Sequence, residues 1–293
     1  MKTVIHGQYI DKTQLLYLND LINIADKSGV FIAYSHPFIE EIRKEGMQPR
    51  SDRIIHSYRE LWDYQPDFFI TLGGDGTILQ SITWVRDSNI PIVGINLGRL
   101  GFLASIEKKS IIPAMQDIFS GKFRIENRSV LSLTSNIDIY GDARFALNDF
   151  TITKRDGSAM IKISIFINEK LLNTIWADGI IVATPTGSTG YSLSCGGPIL
   201  FPDAANFVIT PIAPHNLTVR PIVIPDTEII DISVEGRSEQ YLSTLDSRSE
   251  LITKAHKIRL TKCPFTIQLA YPHTTSFMET ISSKLMWGLD IRN

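Results

Sequence analysis

A chain of 293 residues, 43% hydrophobic and 20% charged, has the balance of a globular protein with real cores and room for one large domain or two ordinary ones. Its net charge of −2 removes the electrostatic case for nucleic acid or an acidic membrane as the main partner. The two cysteines, Cys195 and Cys263, make neither a disulfide framework nor a metal set. The first residues do not form a signal peptide, and no apolar run approaches the roughly 20 residues of a membrane span, so the expected location is the cytoplasm.

In chain order, 2–7 reads as a short strand ending in glycine. A helix is expected over 14–27, where Leu15, Leu18, Ile22 and Ile24 or Ala25 fall near helical spacing. A strand over 30–34 and short helices over 37–44 and 57–64 follow. The stretch 68–79, FFITLGGDGTIL, is the sharpest signal: a buried strand breaks into glycines and a helix begins, running to about Arg86. Such turns bring the backbone close to a phosphate or sugar. There is no lysine here of the kind a P-loop keeps for a terminal phosphate. Instead Asp75 stands among glycines, where a carboxylate can accept a hydrogen bond from a sugar hydroxyl, hold a cation or act as a general base. The residues equally allow a tight turn with a capping aspartate.

The segment 91–96, PIVGIN, is another buried strand. Alternation of strands and helices predicts a parallel α/β sheet, on which ligands bind beyond the carboxyl ends of the strands. After a helix near 110–119 the pattern turns to short strands from 124 to 265, which predicts a β-rich, sandwich-like domain. A final helix is expected over 276–288, with Met278 and Trp287 in the core. The expected division is an α/β domain over 1–108, with 272–293 packing back on it, and a β-rich, substrate-binding domain over 109–271.

Two further stretches carry chemistry. Asn148-Asp149 interrupts a strand; the amide can read a base edge and the carboxylate can grip ribose hydroxyls, or the pair is simply a polar bulge. The stretch 177–198, ADGIIVATPTGSTGYSLSCGGP, follows a buried strand with a loop dense in hydroxyls and bare backbone N–H groups. Tyr191 offers a flat face for a ring. No G-x-S-x-G elbow marks a serine nucleophile. His215 lies among prolines and reads as structural; His56, His256 and His273 lack metal-ligand spacing.

Read together, GGDGT at 73–77, INLGRLGFLA at 95–104, ALND at 146–149, DGIIVATPTGSTGYSLSCGGPI at 178–199, the P-H-x-L-x-x-R-P run at 214–221 and F-x-x-T-I-x-x-K-L-x-W-G at 277–288 resemble the NAD kinases, over nearly the whole chain. The resemblance implies that Asp75 is the base for the 2′-hydroxyl of the adenosine ribose and that Gly76 makes a backbone contact. It places Asn148 and Asp149 on the adenosine part of NAD, and Asp178 near the nicotinamide, where a neighbouring subunit can supply it. Thr189, Gly190, Tyr191, Ser192, Leu193 and Ser194 match the loop around the nucleotide, with Trp176, Ala213 and Arg248 at further contacts. It also implies ATP or polyphosphate as donor, a divalent cation such as Mg²⁺, NAD held between the domains, and a homo-oligomer, either dimer or tetramer. The chain departs from the usual pattern in four places. Asp149 replaces a glutamate, which withdraws the carboxylate by roughly 1.5 Å, one carbon–carbon bond. Gly190 replaces an alanine, Trp176 a basic residue, and Arg248 a glutamine of some members. A lipid or sugar kinase sharing GGDGT, or a non-catalytic NAD(P)-binding regulator, are the alternatives.

Overall fold

The computed structural model describes residues 1–49, 53–98, 101–155, 160–273 and 276–285. The chain divides into two units, one formed by Met1–Asn127 with the segment from Ile267 onward, the other by Arg128–Thr266.

The first unit runs β1 (Lys2–His6), α1 (Leu15–Lys27), β2 (Phe31–Ser35), α2 (His36–Lys44), β3 (Ile54–Ile55), α3 (Tyr58–Tyr64), β4 (Phe68–Gly73), α4 (Asp75–Val85), β5 (Ile92–Asn96), β6 (Ile106–Glu107), α5 (Ile111–Phe119) and β7 (Phe123–Arg128). The sheet order is β3-β2-β1-β4-β5, then a returning strand, Ile267–Pro272, then β7; β6 pairs with β5. The pairings β3–β2, β2–β1, β1–β4, β4–β5 and β5 with the returning strand are all parallel. Strand order reverses between β1 and β4, which opens a crevice beyond their carboxyl ends. Asp75 is placed two residues past the end of β4 and opens α4.

The continuous apolar run of β4 follows from its position. Ile70 and Leu72 pack with Leu18, Leu21, Phe38 and Met115 of α1, α2 and α5. On the other face Phe69 stacks on Trp84 of α4, with ring centroids 6.4 Å apart. A parallel strand covered on both faces is apolar nearly throughout; the threonine in β4, Thr71, is buried and donates to Val93 O at 3.4 Å.

The expected domain boundaries fall short of these units. α5, β7 and the returning strand belong to the first unit, whereas the sequence pattern places 109–271 whole in the second. The reason is tertiary: IQLAYP reads like any other β segment, and which sheet it joins is decided by the neighbour it finds rather than by its own residues. The last helix, Phe277–Leu285, does belong to the first unit. Its buried stripe runs through Ile281, and Phe277 and Thr280 lie half-buried beside it. Met278, expected in the core, is 57% exposed because it lies about 100° round from Phe277. Trp287 lies outside the described residues. No helix among the described residues is long and apolar enough to cross a membrane.

The second unit consists of β8 (Leu131–Ser135), β9 (Phe145–Ala146), β10 (Asp149–Lys154), β11 (Ile161–Ile167), β12 (Lys170–Ala177), β13 (Gly179–Ala183), a one-turn α6 (Tyr191–Ser194), β14 (Asn206–Ile212), β15 (Ile222–Pro225), β16 (Ile230–Glu235), β17 (Tyr241–Leu245), β18 (Arg248–Ile252) and β19 (Ile258–Lys262). They form two six-stranded sheets, β15-β14-β13-β10-β17-β18 and β12-β11-β16-β19-β8-β9. One core joins them, with Phe150, Ile152, Ile180, Val182 and Phe207 of the first sheet packed with Leu133, Ile163, Ile175, Ile232 and Leu260 of the second. Along β13, Ile181 and Ala183 point the opposite way and pack with Val208, Cys195 and Leu200. Hence GIIVA is apolar throughout rather than alternating: the loop after β13 folds back and covers the outer face of its own strand.

Phe207 is fully buried between the sheets, whereas Phe31 is 71% exposed. Phe207→Ala is expected to cost about 3–5 kcal/mol and Phe31→Ala no more than about 0.5 kcal/mol, read as the shift in urea-unfolding midpoint of each variant against the parent chain.

Candidate functional site

In the first unit, Gly74 is the N-cap residue of α4 and Asp75 its first residue, where a carboxylate is favoured by the helix dipole. The side chain does not cap its own helix. It reaches across to the segment that follows β5 and accepts three backbone N–H groups in a row: Phe102 donates to Oδ2 at 2.7 Å, and Leu103 and Ala104 donate to Oδ1 at 3.1 and 3.0 Å. Gly101 makes this approach possible. A Cβ there would stand 1.7 Å from Asp75 Oδ1. No Cβ at Gly74 or Gly76 would meet an atom within 4 Å, so the turn presents bare backbone on that side. Each carboxylate oxygen has two acceptor positions. Oδ1 has both filled, and Oδ2 keeps one. Lys284 of the last helix adds its ammonium 3.8 Å from Oδ2. The arrangement is a carboxylate with fixed orientation and one open lone pair, at the carboxyl edge of a parallel sheet. Arg99 and Leu100 of the INLGRLGFLA stretch lie outside the described residues.

In the second unit, Leu147 and Asn148 separate β9 from β10, and Asp149 opens β10. What holds this break is a residue the sequence reading did not single out. Asp246 sits with φ 53° in the two-residue turn between β17 and β18. Its carboxylate accepts the N–H groups of Leu147 at 2.9 Å, Asn148 at 2.7 Å and Asp149 at 3.2 Å. The loop after β13 binds the other side of the break. Thr184 N–H donates to Asn148 O at 2.8 Å and its hydroxyl to Leu147 O at 2.5 Å. At Gly187 a Cβ would lie 2.1 Å from Asn148 O, so only glycine lets the two segments meet. A Cβ at Gly190 would fall 3.6 Å from Asn148 Nδ2 and 3.9 Å from Asp149 Oδ2, so this glycine faces both side chains. Asn148 Oδ1 and Thr186 Oγ1 are buried without a hydrogen-bond partner among the described residues. That is an unusual condition for native polar atoms and points to a missing partner.

Most hydroxyls of the loop are already used within it. Ser188 donates to Pro185 O at 2.6 Å and accepts Leu200 N–H at 3.0 Å; Thr189 donates to Thr186 O at 3.2 Å. Ser192 is fully buried, paired with Thr210 at 2.8 Å, and so serves packing. Tyr191 is 44% exposed. Burial pushes its hydroxyl pKa up, with the charges of Cys195, Asp149 and Asp178 acting the same way. Leu193 is half-buried and Ser194 exposed on the same short helix.

Asp178, Trp176 and Ala213 come together at another edge. Asp178 N–H donates to Ile212 O at 3.0 Å and His215 N–H to Trp176 O at 2.8 Å, which brackets Ala213. Asp178 pairs with Lys154 at 2.7 Å, a cation that the sequence reading did not name. Trp176 is 46% exposed. Arg248 faces inward instead, donating to the carbonyls of Ala143 and Phe145 and standing 4.0 Å from Asp246.

Two carboxyl groups thus share a buried space. Burial raises Asp149 to about 7, and the charge of Asp246 acts in the same direction. Burial also raises Asp246, to about 6, against the N–H groups of Leu147 and Asn148, then Arg248, then the N–H of Asp149, which favour its charged form. Asp246 has these donors and Asp149 has none of them, so burial disfavours the charged form more at Asp149.

Comparison with known proteins identifies the family. Residues 12–123 match the ATP-NAD kinase N-terminal domain and residues 147–271 the ATP-NAD kinase C-terminal domain. The NAD kinase of Cytophaga hutchinsonii is 40% identical over 290 residues, with 99% of each chain covered. That of Porphyromonas gingivalis is 42% identical over 292 residues, again with 99% of each covered. Two solved structures share the fold. Yeast NADH kinase complexed with NADH has a TM-score of 0.86 at 23% identity, covering 100% of this chain and 89% of that one. An NAD kinase from Archaeoglobus fulgidus in complex with ATP has a TM-score of 0.74 at 22% identity, covering 98% and 99%. With both domain models matched and relatives of about 40% identity over their full length, the chain belongs to the NAD kinase family and is a kinase that phosphorylates NAD.

Proposed function

We propose that Asp75 is the general base of this kinase and that Asn148 and Asp149 hold the adenosine of NAD, with ATP as the phosphoryl donor. The step is an in-line transfer to the 2′-hydroxyl of the adenosine ribose. The 2′-oxygen bonds to the terminal phosphorus as its proton passes to Asp75 Oδ2. The bond from that phosphorus to the bridging oxygen breaks, and ADP leaves with the electron pair. Such a transfer depends on positioning and charge compensation more than on covalent help. The observation that carries the base assignment is the saturation of Oδ1 and the single open position of Oδ2: the carboxylate is held rigid and has one place to accept a proton.

The buried, unpaired Asn148 Oδ1 supports a base contact, since it can accept a hydrogen bond from an exocyclic amine such as that of adenine. Gly190 and Tyr191 line the same place, Thr189 and Ser194 flank it, and the bare backbone at Gly76 suits close approach of the substrate beside Asp75. Asp178, Trp176 and Ala213 form a separate group that suits the nicotinamide end. Arg248 acts at a distance from NAD in this reading, by holding the strand before Asn148. A divalent cation, Mg²⁺ by charge and size, belongs to the proposal as a companion of ATP; it would neutralise phosphate charge. Among the described residues no group of three His, Cys, Asp or Glu side chains could hold a metal, so it is assigned no protein ligands. Mg²⁺ keeps most of its ligands as water and phosphate in such sites. A cytoplasmic homo-oligomer, dimer or tetramer, is part of the same reading and rests on the family resemblance at Asp178.

Incubation with ATP, Mg²⁺ and NAD is expected to form NADP, detected with an NADP-specific dehydrogenase. Asp75→Asn is expected to bind NAD within a few-fold of the parent while turnover falls by about 10²–10⁴; near-normal turnover would remove Asp75 from the base role. A second expectation concerns pH. Ribose hydroxyls donate to the ionised carboxylate of Asp149, so NAD binding releases the proton that the free protein holds up to about pH 7. The dissociation constant for NAD is therefore expected to fall as pH rises from 6 to 8, and Asp149→Asn to abolish that slope, by calorimetry at each pH. Stability of the free protein runs the other way. Asp149 has its pKa raised from 3.8 to about 7, so its contribution is complete below about pH 4 and is lost as pH rises through 7. Urea unfolding at pH 5 and 8 should show that loss in the parent and a smaller one in Asp149→Asn.

A further inference from the structure

The turn at 73–77 contains no lysine, although transfer of a terminal phosphoryl group calls for a cation beside it. The fold brings one from the other end of the chain. Lys284, on the last helix, places its ammonium 3.8 Å from Asp75 Oδ2 and 4.3 Å from the centroid of the Phe102 ring. Phe102 is also the residue whose N–H donates to that same oxygen at 2.7 Å. Base, aromatic face and cation therefore form one triangle.

Several details fit a cation waiting for phosphate better than one that merely braces the aspartate. Asp75 is already oriented by three backbone donors, so its geometry does not need a fourth partner. At 3.8 Å the ammonium is beyond hydrogen-bond length, and the two side chains are 30% and 29% exposed, which makes this a loose pair that costs little to part. The face of Phe102 holds the ammonium without saturating its three N–H donors. The location also meets a need of the reaction. A carboxylate that takes a proton from the 2′-hydroxyl must stand within a few ångströms of the phosphoryl group attacking that same oxygen, and the two repel. A cation within reach of both removes the repulsion.

We propose that Lys284 is a catalytic residue that donates to the oxygens of the transferring phosphoryl group, pairing with Asp75 when no donor is bound. The proposal rests on Asp75 being the base. Lys284 stays protonated throughout: it exchanges one anionic partner for another and transfers nothing.

The test is a double-mutant cycle in the full-length protein, with NAD affinity and thermal unfolding measured for each variant. Lys284→Met is expected to lower kcat by about 100-fold with NAD affinity changed less than threefold. Lys284→Arg, which keeps the charge, is expected to retain at least a tenth of the parent kcat. The decisive arm is Asp75→Asn with Lys284→Met, followed in single turnover at high enzyme concentration. If Lys284 acts on the phosphoryl group, adding Lys284→Met to Asp75→Asn lowers the rate at least tenfold further. If it acts only through Asp75, the double variant is no slower than Asp75→Asn alone, and the proposal is overturned. A kcat for Lys284→Met within threefold of the parent overturns it as well, as does an Lys284→Arg variant that folds normally and is as slow as Lys284→Met. Failure of the base assignment is recognised separately, by near-normal turnover in Asp75→Asn alone.

Discussion

Three consecutive backbone N–H groups converging on one carboxylate is the interaction on which the site depends. It occurs twice. In the first unit Asp75 gathers the N–H groups of 102–104, and in the second Asp246 gathers those of 147–149. In both, a side chain does what a strand ladder cannot: it satisfies the backbone where the chain leaves its sheet. A segment held in this way is rigid without being regular, and that is the condition for presenting a side chain at the edge of a β element.

The two carboxylates differ in what they leave over. Asp75 is partly exposed and keeps an acceptor position, so the same group that holds the backbone is free to meet a ligand hydroxyl. The Asp246 side chain is fully buried and spends itself on the backbone, with Arg248 fixing the carbonyls of Ala143 and Phe145. The charge on Asp246 then has a second effect: it makes ionisation of Asp149 harder in the absence of substrate. Asp149 itself is 7% exposed, so its carboxyl group has little water to offset that charge.

How much of this the sequence made legible follows from which contacts are local. The GGDGT turn, the Asn-Asp interruption and the loop after β13 are short stretches whose composition is hard to explain by packing, and each proved to lie at a sheet edge or to meet another of them. Asp246 was invisible because, in LDSRS, it reads as an ordinary turn aspartate; its value lies in residues almost a hundred positions earlier in the chain. Ser192 misled for the opposite reason. Its hydroxyl looks available in sequence but is consumed by Thr210 in the fold. Lys284 was one letter of a family run, and only the docking of the last helix gave it an address. Strands β3 and β6, two residues each, carry no periodicity at all.

The returning strand has a consequence for biogenesis. Because Ile267–Pro272 lies between β5 and β7 and follows every strand of the β-rich unit in the chain, the first sheet is completed only after that unit has been made. Folding from the N-terminus during synthesis, the usual order for multidomain chains, therefore leaves the place between β5 and β7 to be filled late. The unit encoded in the middle has all its strands first, and the unit that carries Asp75 becomes whole only when Ile267–Pro272 slots in, so a nascent chain cut short before 267 lacks a complete first unit.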